Sequence, residues 1–561
     1  MIDATRQFWR QTFFVFLVLL SMSIPLSRFA MSSFQFLLLF AWLLDGLSAR
    51  VLSRFYRKCN LFKAIYHTFR YLTDVIITNI LDKTAIFLRN KIAVIIGSVY
   101  ILHLIGLLYT ADFDYALKDI RIKIPLLLLP LMLASMPKLS LKQLHILLIF
   151  FVLAVLSGTF ISLNEYLKQD FEDIRNISLF ISPVRFSLNI ALAFFFLLYF
   201  ITSTSYNRLW HRLIFIVVMV WLVTFLVILE SAIGLLSIFI VSLGLLFYKM
   251  FAASALQYRI LMGILFVVLP LSTYWYINEQ VAEMVKAPEI DFSKLEKFTK
   301  SGNAYLHDTI NFGVEEGKYI GIYMATDEMA AAWNKRSSYQ FLGHDKANQL
   351  IQYTLIRYLT SKNLRKDAEG VNSLTEKDIR LIEKGIANVN YVESPSIRTR
   401  ISKILLGYQR YSEIHDPNGS SVMQRIEHWK ASILIIKEQF WFGVGTGDVP
   451  AIFEETYKRI NSPLKNQWRW RSHNQYFTMS IAFGIFGAIW FLFSLIYPAV
   501  INNNYRNYLY AVFLSILMLS MLTEDTLETQ DGATLFAFFN ALFLFSLPDS
   551  MSRTNKKQEA K

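Results

Sequence analysis

The chain has 561 residues, of which 54% are hydrophobic and 17% charged, and carries a formal charge of +14 at pH 7. With a mean hydropathy of +0.39, this balance excludes an ordinary soluble domain and fits a polytopic membrane protein. The positive charge is gathered in loops that fall on one side of the apolar runs, so it reads as a topology signal and points away from nucleic acid.

A bilayer core of about 30 Å takes about 20 apolar residues per helix. Apolar runs at 12–30, 33–47, 93–109, 124–136, 143–163, 186–203, 213–229, 232–248, 260–276, 473–497, 508–522 and 532–547 predict an all-α membrane protein with about twelve transmembrane helices. The first run lacks a small-residue cleavage site and is followed at once by another, so it is expected to be a retained helix. About nine spans form an N-terminal bundle, 1–276, with a basic linker at 48–91. The single cysteine, Cys59, lies in that linker, which excludes a disulfide framework and predicts a free thiol. Arg50, Arg54, Arg57, Lys58, Lys63 and Arg70 share one side with Arg208, Arg212, Lys249, Arg259 and the tail residues Arg553, Lys556, Lys557 and Lys561. The positive-inside rule makes that side cytoplasmic, with both termini on it.

His103 and His145, inside spans, read as structural hydrogen-bonders. Arg185, in Ser182-Pro-Val-Arg-Phe-Ser187, stands where a segment re-enters the bilayer. An arginine at that depth either snorkels to the surface or meets an anion. The stretch 277–472 is far beyond ordinary loop length and reads as a mostly helical extracytoplasmic domain. Within it, Ser373-Leu-Thr-Glu376 predicts a capping box opening a helix through Ile382, with Gly385 as the stop. After the turn Asp416-Pro-Asn-Gly419, Ser421 is placed as the cap of a helix over Val422–Lys437. Arg425 and Trp429 share a face of that helix, with His428 beside them.

Gly443-Val-Gly-Thr-Gly447 allows either close approach of backbone N–H groups to an anion or a tight turn back to the membrane. It lacks the Lys-hydroxyl pair of a nucleotide-binding loop. The domain ends on Gln467-Trp-Arg-Trp-Arg-Ser-His-Asn-Gln-Tyr476, which sets a histidine, two arginines and two indoles at the lip of the C-terminal helices, 473–547. Glu524, Asp525 and Glu528 cluster in a short outward loop and read as a solvated turn or as partners for the arginines. A basic tail, 548–561, closes the chain.

These motifs carry a resemblance. Arg-Phe-Ser at the head of a span is followed by a large outward loop. Then come Arg425-Ile-Glu-His-Trp429, Phe442-Gly-Val-Gly-Thr-Gly447, and His473-Asn-Gln-Tyr476 running into Phe483-Gly-Ile-Phe-Gly487. The series resembles the O-antigen ligase/polymerase family of bacterial envelope glycosyltransferases, most strongly over about 420–490. The segments 365–385 and 524–530 resemble a Bacteroidetes-type subset. The resemblance implies a GT-C-like, inner-membrane enzyme whose large loop is periplasmic. It would transfer a glycan from an undecaprenyl-diphosphate carrier to a glycan, lipid A–core or protein acceptor, with no metal or other cofactor. It assigns Arg185 and Arg425 to the diphosphate and His473 to the role of base, with Arg469, Arg471, Asn474, Trp429, Gly445 and Gly447 as further substrate contacts.

The chemistry of those side chains agrees. Guanidinium forks suit a departing diphosphate, and histidine suits proton removal near neutral pH. One departure stands out: relatives carry a Ser-Arg-x-Gly motif where this chain has Ser231-Ala-Ile-Gly234. Arg175 or Arg471 is a candidate to compensate. Two other functions fit a chain of this kind, a glycolipid transporter and a non-catalytic envelope scaffold. The first needs ionisable residues at the bilayer midplane, where the spans are nearly charge-free. The second predicts that the loop binds a partner and that His473 is dispensable.

Overall fold

The computed structural model describes residues 2–58, 60–168, 174–253, 255–286, 289–393, 396–548 and 551. Cys59 and most of the basic tail therefore lie outside the described residues. The fold is all-α and polytopic. Among the described residues, eight helices are long and apolar enough to cross a membrane: Thr5–Leu26, Lys91–Tyr109, Leu141–Lys168, Pro183–Thr202, Leu209–Ile228, Ala232–Ala252, Leu256–Val285 and Gln475–Arg506. Three shorter apolar helices join them, Arg28–Leu43, Tyr508–Ser520 and Gln530–Phe545. The run at 124–136 folds as Pro125–Ser135, only 11 residues. The run at 260–276 continues as a helix to Val285, past the expected start of the loop.

Two helices form the centre. Pro183–Thr202 and Gln530–Phe545 are buried along almost their whole length, and the second packs against Pro125–Ser135. Their Phe196, Phe539 and Phe543 rings pack edge-on or tilted with Phe151 and Phe513. The lipid-facing helices keep bulky apolar side chains outward, as on Leu256–Val285, where Tyr274 and Trp275 are exposed.

The long insertion divides into two parts. Residues 324–392 fold around their own core, in which Trp333, Ile351, Leu355, Tyr358 and Ile382 are fully or almost fully buried. From helix Ser421–Glu438 onward, Ala431, Ile435, Phe453, Tyr457 and Leu464 belong instead to the core of the bundle. The motif-bearing part of the insertion is thus built into the membrane bundle.

Both predicted caps shift. The capping box is Thr375 with Asp378, opening Glu376–Glu383, and Ser373 instead closes the preceding short helix. The sequence holds two overlapping patterns, and the downstream one prevails because Asp378 also accepts from Tyr358 and Lys362. Likewise Ser420, one residue before Ser421, caps Ser421–Glu438 by accepting from Met423 N–H.

The last large helix, Gln475–Val500, is broken at Gly484, whose φ of 62° lies in the left-handed region. A break in a membrane helix frees backbone groups that lipid cannot satisfy. Here the glycine turn satisfies them: Val444 N–H donates to Ile481 O and Gly445 N–H to Ala482 O, each at 2.9 Å, while Ile485 N–H donates to Phe440 O at 2.8 Å. A Cβ on Gly484 would lie 2.2 Å from Trp441 O. Gly484→Ala is therefore expected to abolish recovery of monodisperse folded protein in size-exclusion chromatography, since overlap adds to backbone strain of roughly 1–3 kcal/mol. Recovery at the wild-type level would show that the junction yields easily.

Candidate active site

The site forms around the turn between Tyr508–Ser520 and Gln530–Phe545. Three carboxylates, Glu524, Asp525 and Glu528, are all buried there. Of the two sequence readings of this turn, solvation fails and pairing with arginine holds.

Arg425 sits a little over one turn into Ser421–Glu438, which aims it at the cluster. Its Nη2 is 2.5 Å from Glu524 Oε1, its Nε donates to Thr523 O at 3.0 Å, and its Nη1 reaches back to Ser421 O. Arg185 arrives from the other side, in the first turn of Pro183–Thr202. Its Nη2 donates to Asp525 O at 3.2 Å and its Nε to Thr529 Oγ1 at 3.4 Å. Its side chain does not snorkel, because the residue is only 4% exposed, and Nη1 is buried with no hydrogen-bond partner. Gly532 makes this approach possible: a Cβ there would meet Thr526 O at 1.8 Å and Arg185 Nε at 3.1 Å.

His473 completes the group. It occupies the left-handed region with φ 47°, and its Nδ1 lies 3.5 Å from Glu524 Oε2 and 3.7 Å from Asp525 Oδ1. Its ring stands 5.3 Å from that of His428. Burial pushes the His428 imidazole down to about 4, although its hydrogen bond with Trp468 O works the other way. His428 is thus neutral at ordinary pH. Burial alone would raise the Glu524 carboxyl, yet the contact with His473 and the charges of Arg185 and Arg425 bring it down to about 2.

A second ionic layer lies beneath. Arg471 Nε is 3.5 Å from Asp525 Oδ2, and Nη1 bonds Glu528 Oε2 at 3.0 Å and Tyr115 Oη at 3.1 Å. Glu528 Oε2 also accepts from Lys123 Nζ at 2.7 Å, and Lys123 pairs with Asp119 at 2.6 Å. Gln475 Nε2 holds the other oxygen of Glu528. Burial opposes the charge on Glu528, but Lys123 and Arg471 keep its carboxyl well below the ordinary range. Tyr115, Asp119, Lys123, Arg471 and Glu528 line a small cavity together with His103 and Thr446. In the two layers, four cations (Arg185, Arg425, Arg471 and Lys123) face four carboxylates (Asp119, Glu524, Asp525 and Glu528).

Of the further residues expected at the site, Trp429 stands one turn beyond Arg425, edge-on to Phe477, with its buried Nε1 unpartnered. Arg471 is in the second layer. The others take structural roles. Asn474 caps Gln475–Val500 by accepting from Phe477 N–H, and its amide donates to Leu522 O. Arg469 turns away to Leu464 O and Glu454. The Gly445 amide is used by Ala482 O and that of Gly447 by Thr110 Oγ1. A Cβ on Gly447 would lie 2.0 Å from Asp112 O. The turn is a packing device, with these amides unavailable to an anion. Ala232 is exposed, and the charge beside it is Glu230, paired with Lys403 at 2.8 Å.

Residues 384–492 match the family model described as O-Antigen ligase. The segment belongs to the O-antigen ligase family. No curated protein matches the chain. The ligase domain contains Arg425, Trp429, Arg471 and His473, and both halves of the glycine-turn junction. Arg185, Lys123 and the 523–529 turn lie outside it, and the turn meets it through Arg425 and Arg471. The domain marks the protein as a membrane enzyme of the O-antigen ligase/polymerase type, acting in glycosyl transfer.

A buried neutral histidine and an ion-paired carboxylate make folding sensitive to acid. The unfolded chain protonates a histidine near 6.5, whereas folded His428 resists until about 4. It likewise protonates a glutamate near 4.5, whereas folded Glu524 resists until about 2. In each window the unfolded state binds more protons, so stability falls as pH falls. The melting temperature in detergent is expected to drop from pH 6.5 downward and again below 4.5, and Glu524→Gln should make the lower step smaller, with Glu528 and Asp378 supplying the remainder. An unchanged lower step in that variant would rule out the ion-paired carboxylate.

Proposed function

We propose that the protein transfers a glycan from an undecaprenyl-diphosphate carrier to an acceptor hydroxyl at the periplasmic face, with inversion and without a metal. What carries the reading is the convergence of Arg185, Arg425 and His473 on one turn, with Arg185 Nη1 still unpartnered. A diphosphate leaving group gathers negative charge as its bond to the anomeric carbon breaks. Arg425 and the open nitrogen of Arg185 would bind it and stabilise its departure. The acceptor oxygen attacks from the opposite face, and its proton passes to His473.

Glu524 links the two halves of this reaction. It is held by Arg425 and lies next to His473 Nδ1. When the diphosphate takes over Arg425, the carboxylate becomes free to steady the imidazolium. His473, Glu524 and Asp525 also stand close enough together to hold a metal ion. Their carboxylates, however, are already matched to Arg425 and Arg471, and guanidinium groups so near oppose a divalent cation. Transfer by the purified protein should therefore survive excess chelator, and its loss, with recovery on adding Mg²⁺, would overturn that part of the reading.

Deletion of the gene and inspection of the lipopolysaccharide ladder tests the function as a whole. Loss of all polymer from lipid A marks a ligase, and a single capped repeat marks a polymerase. An unchanged ladder and unchanged surface glycans would refute the proposal.

A further inference from the structure

The candidate site leaves the helical hairpin Ala49–Lys58 and Leu61–Arg89 unexplained. The second helix has 29 residues, long enough to cross a bilayer, yet it is not among the apolar spans. It carries Lys63, His67, Arg70, Asp74, Asp82, Lys83 and Arg89 along its length.

One face is pinned to the bundle. Asn79 Nδ2 donates to Leu43 O and Asp45 O at 2.7 and 2.9 Å, and Lys83 Nζ donates to Trp42 O at 2.6 Å. These bonds satisfy carbonyls at the C-terminal end of Arg28–Leu43, which the helix itself leaves open. Lys83 also pairs with Asp45 at 3.3 Å. The first helix of the hairpin folds back onto the second, where Phe55 packs on His67 and Tyr71.

With that face fixed, the other presents Phe62, Tyr66, Phe69, Ile77, Leu81 and Leu88, all exposed, Phe62 by 85% and Phe69 by 70%. Their spacing follows helical repeats over some seven turns, so they form one stripe. Exposed Arg70 stands on the same face, and the first helix of the hairpin adds exposed Arg54 and Arg57. No Asp or Glu occurs between Asp45 and Asp74, a stretch that holds six Lys or Arg residues. A long helix with an apolar stripe, exposed cations on it and on its hairpin partner, and too many charges to span matches an element lying in the plane of the membrane interface.

We propose that this hairpin is a peripheral membrane anchor, whose apolar stripe sinks into one leaflet and whose arginines bind the headgroups of anionic phospholipids there. Charge complementarity selects the lipid, since each cation near an anionic surface strengthens the attachment. The pinned face transmits that attachment to the bundle through Asn79 and Lys83. This assignment does not depend on the transfer chemistry.

The test uses the purified full-length protein in vesicles of phosphatidylglycerol and phosphatidylcholine, with the triple variant Arg54→Gln, Arg57→Gln, Arg70→Gln as comparison. Lipid retained through purification is counted by mass spectrometry. The wild type should hold phosphatidylglycerol about tenfold over phosphatidylcholine at low salt, with the excess shrinking as salt rises, and the triple variant should lose most of that excess. Equal retention by both proteins would overturn the proposal. In a Cys59→Ser background, a Phe69→Cys variant should react with a water-soluble maleimide at least tenfold more slowly than Ser53→Cys. Equal reactivity would mean a wet face and would also refute it. Protection accompanied by cross-linked dimers, and indifferent to lipid charge, would assign the face to a second copy of the chain instead.

Discussion

Arg425→Ala is expected to cut glycan transfer by at least 10²–10³, the scale of losing one well-placed donor to a developing anion. It should also destabilise the protein by about 3–5 kcal/mol, because Glu524 is left as a buried charge without its partner. These two effects can be separated. Adding Glu524→Gln to Arg425→Ala removes the orphaned charge, so the melting temperature should recover in large part. Transfer should not recover, since the diphosphate still lacks its guanidinium. Arg425→Lys is expected to fail as well: a single ammonium cannot reach Glu524, Thr523 O and Ser421 O together. Recovery of transfer in the double variant would reduce Arg425 to a structural counter-ion.

His473 calls for a different substitution. Its φ of 47° favours asparagine among non-glycine residues, so His473→Asn removes the imidazole with little added strain, while His473→Ala mixes the two effects. Loss of a general base lowers rates by roughly 10²–10⁴, and a fall of that size in kcat is expected from His473→Asn, with KM for the donor little changed. A comparable fall in kcat/KM caused wholly by KM would instead make His473 a binding residue. The Glu524→Gln variant should fall less, because its carboxylate steadies the imidazolium and does not take the proton itself.

The resemblance pointed to Arg185, Arg425 and His473. For Arg185 and His473 the position at a membrane boundary agreed, since a charged or titratable group there is costly unless it has work to do, and the structure brings all three to one turn. Asp119 and Lys123 escaped notice because the segment at 110–123 read as a short outward loop. Their one sequence signal was an i,i+4 acid–base pair directly before a proline-led apolar run. The break at Gly484 was equally hidden, since the apolar composition continues through it. Only the partner turn at 440–445 shows why two separate glycine motifs occur. Arg469, Asn474 and the glycine amides stood close to the right residues in sequence, but their hydrogen bonds go to caps and packing. Proximity along the chain does not fix which way a side chain or an amide points. The split of the insertion into a separate core and a part built into the bundle was also invisible, because both parts have the composition of helical loop.

The central claim is that Arg185, Arg425 and His473 serve one reaction. The most direct test is transfer by purified protein in detergent, with an undecaprenyl-diphosphate-linked glycan, an acceptor and excess chelator, following product and released undecaprenyl diphosphate together. Wild-type protein should form both in equal amounts, and Arg185→Gln, Arg425→Ala with Glu524→Gln, and His473→Asn should each form neither above background while remaining folded. Near-normal release and product from any one of the three folded variants would contradict the account.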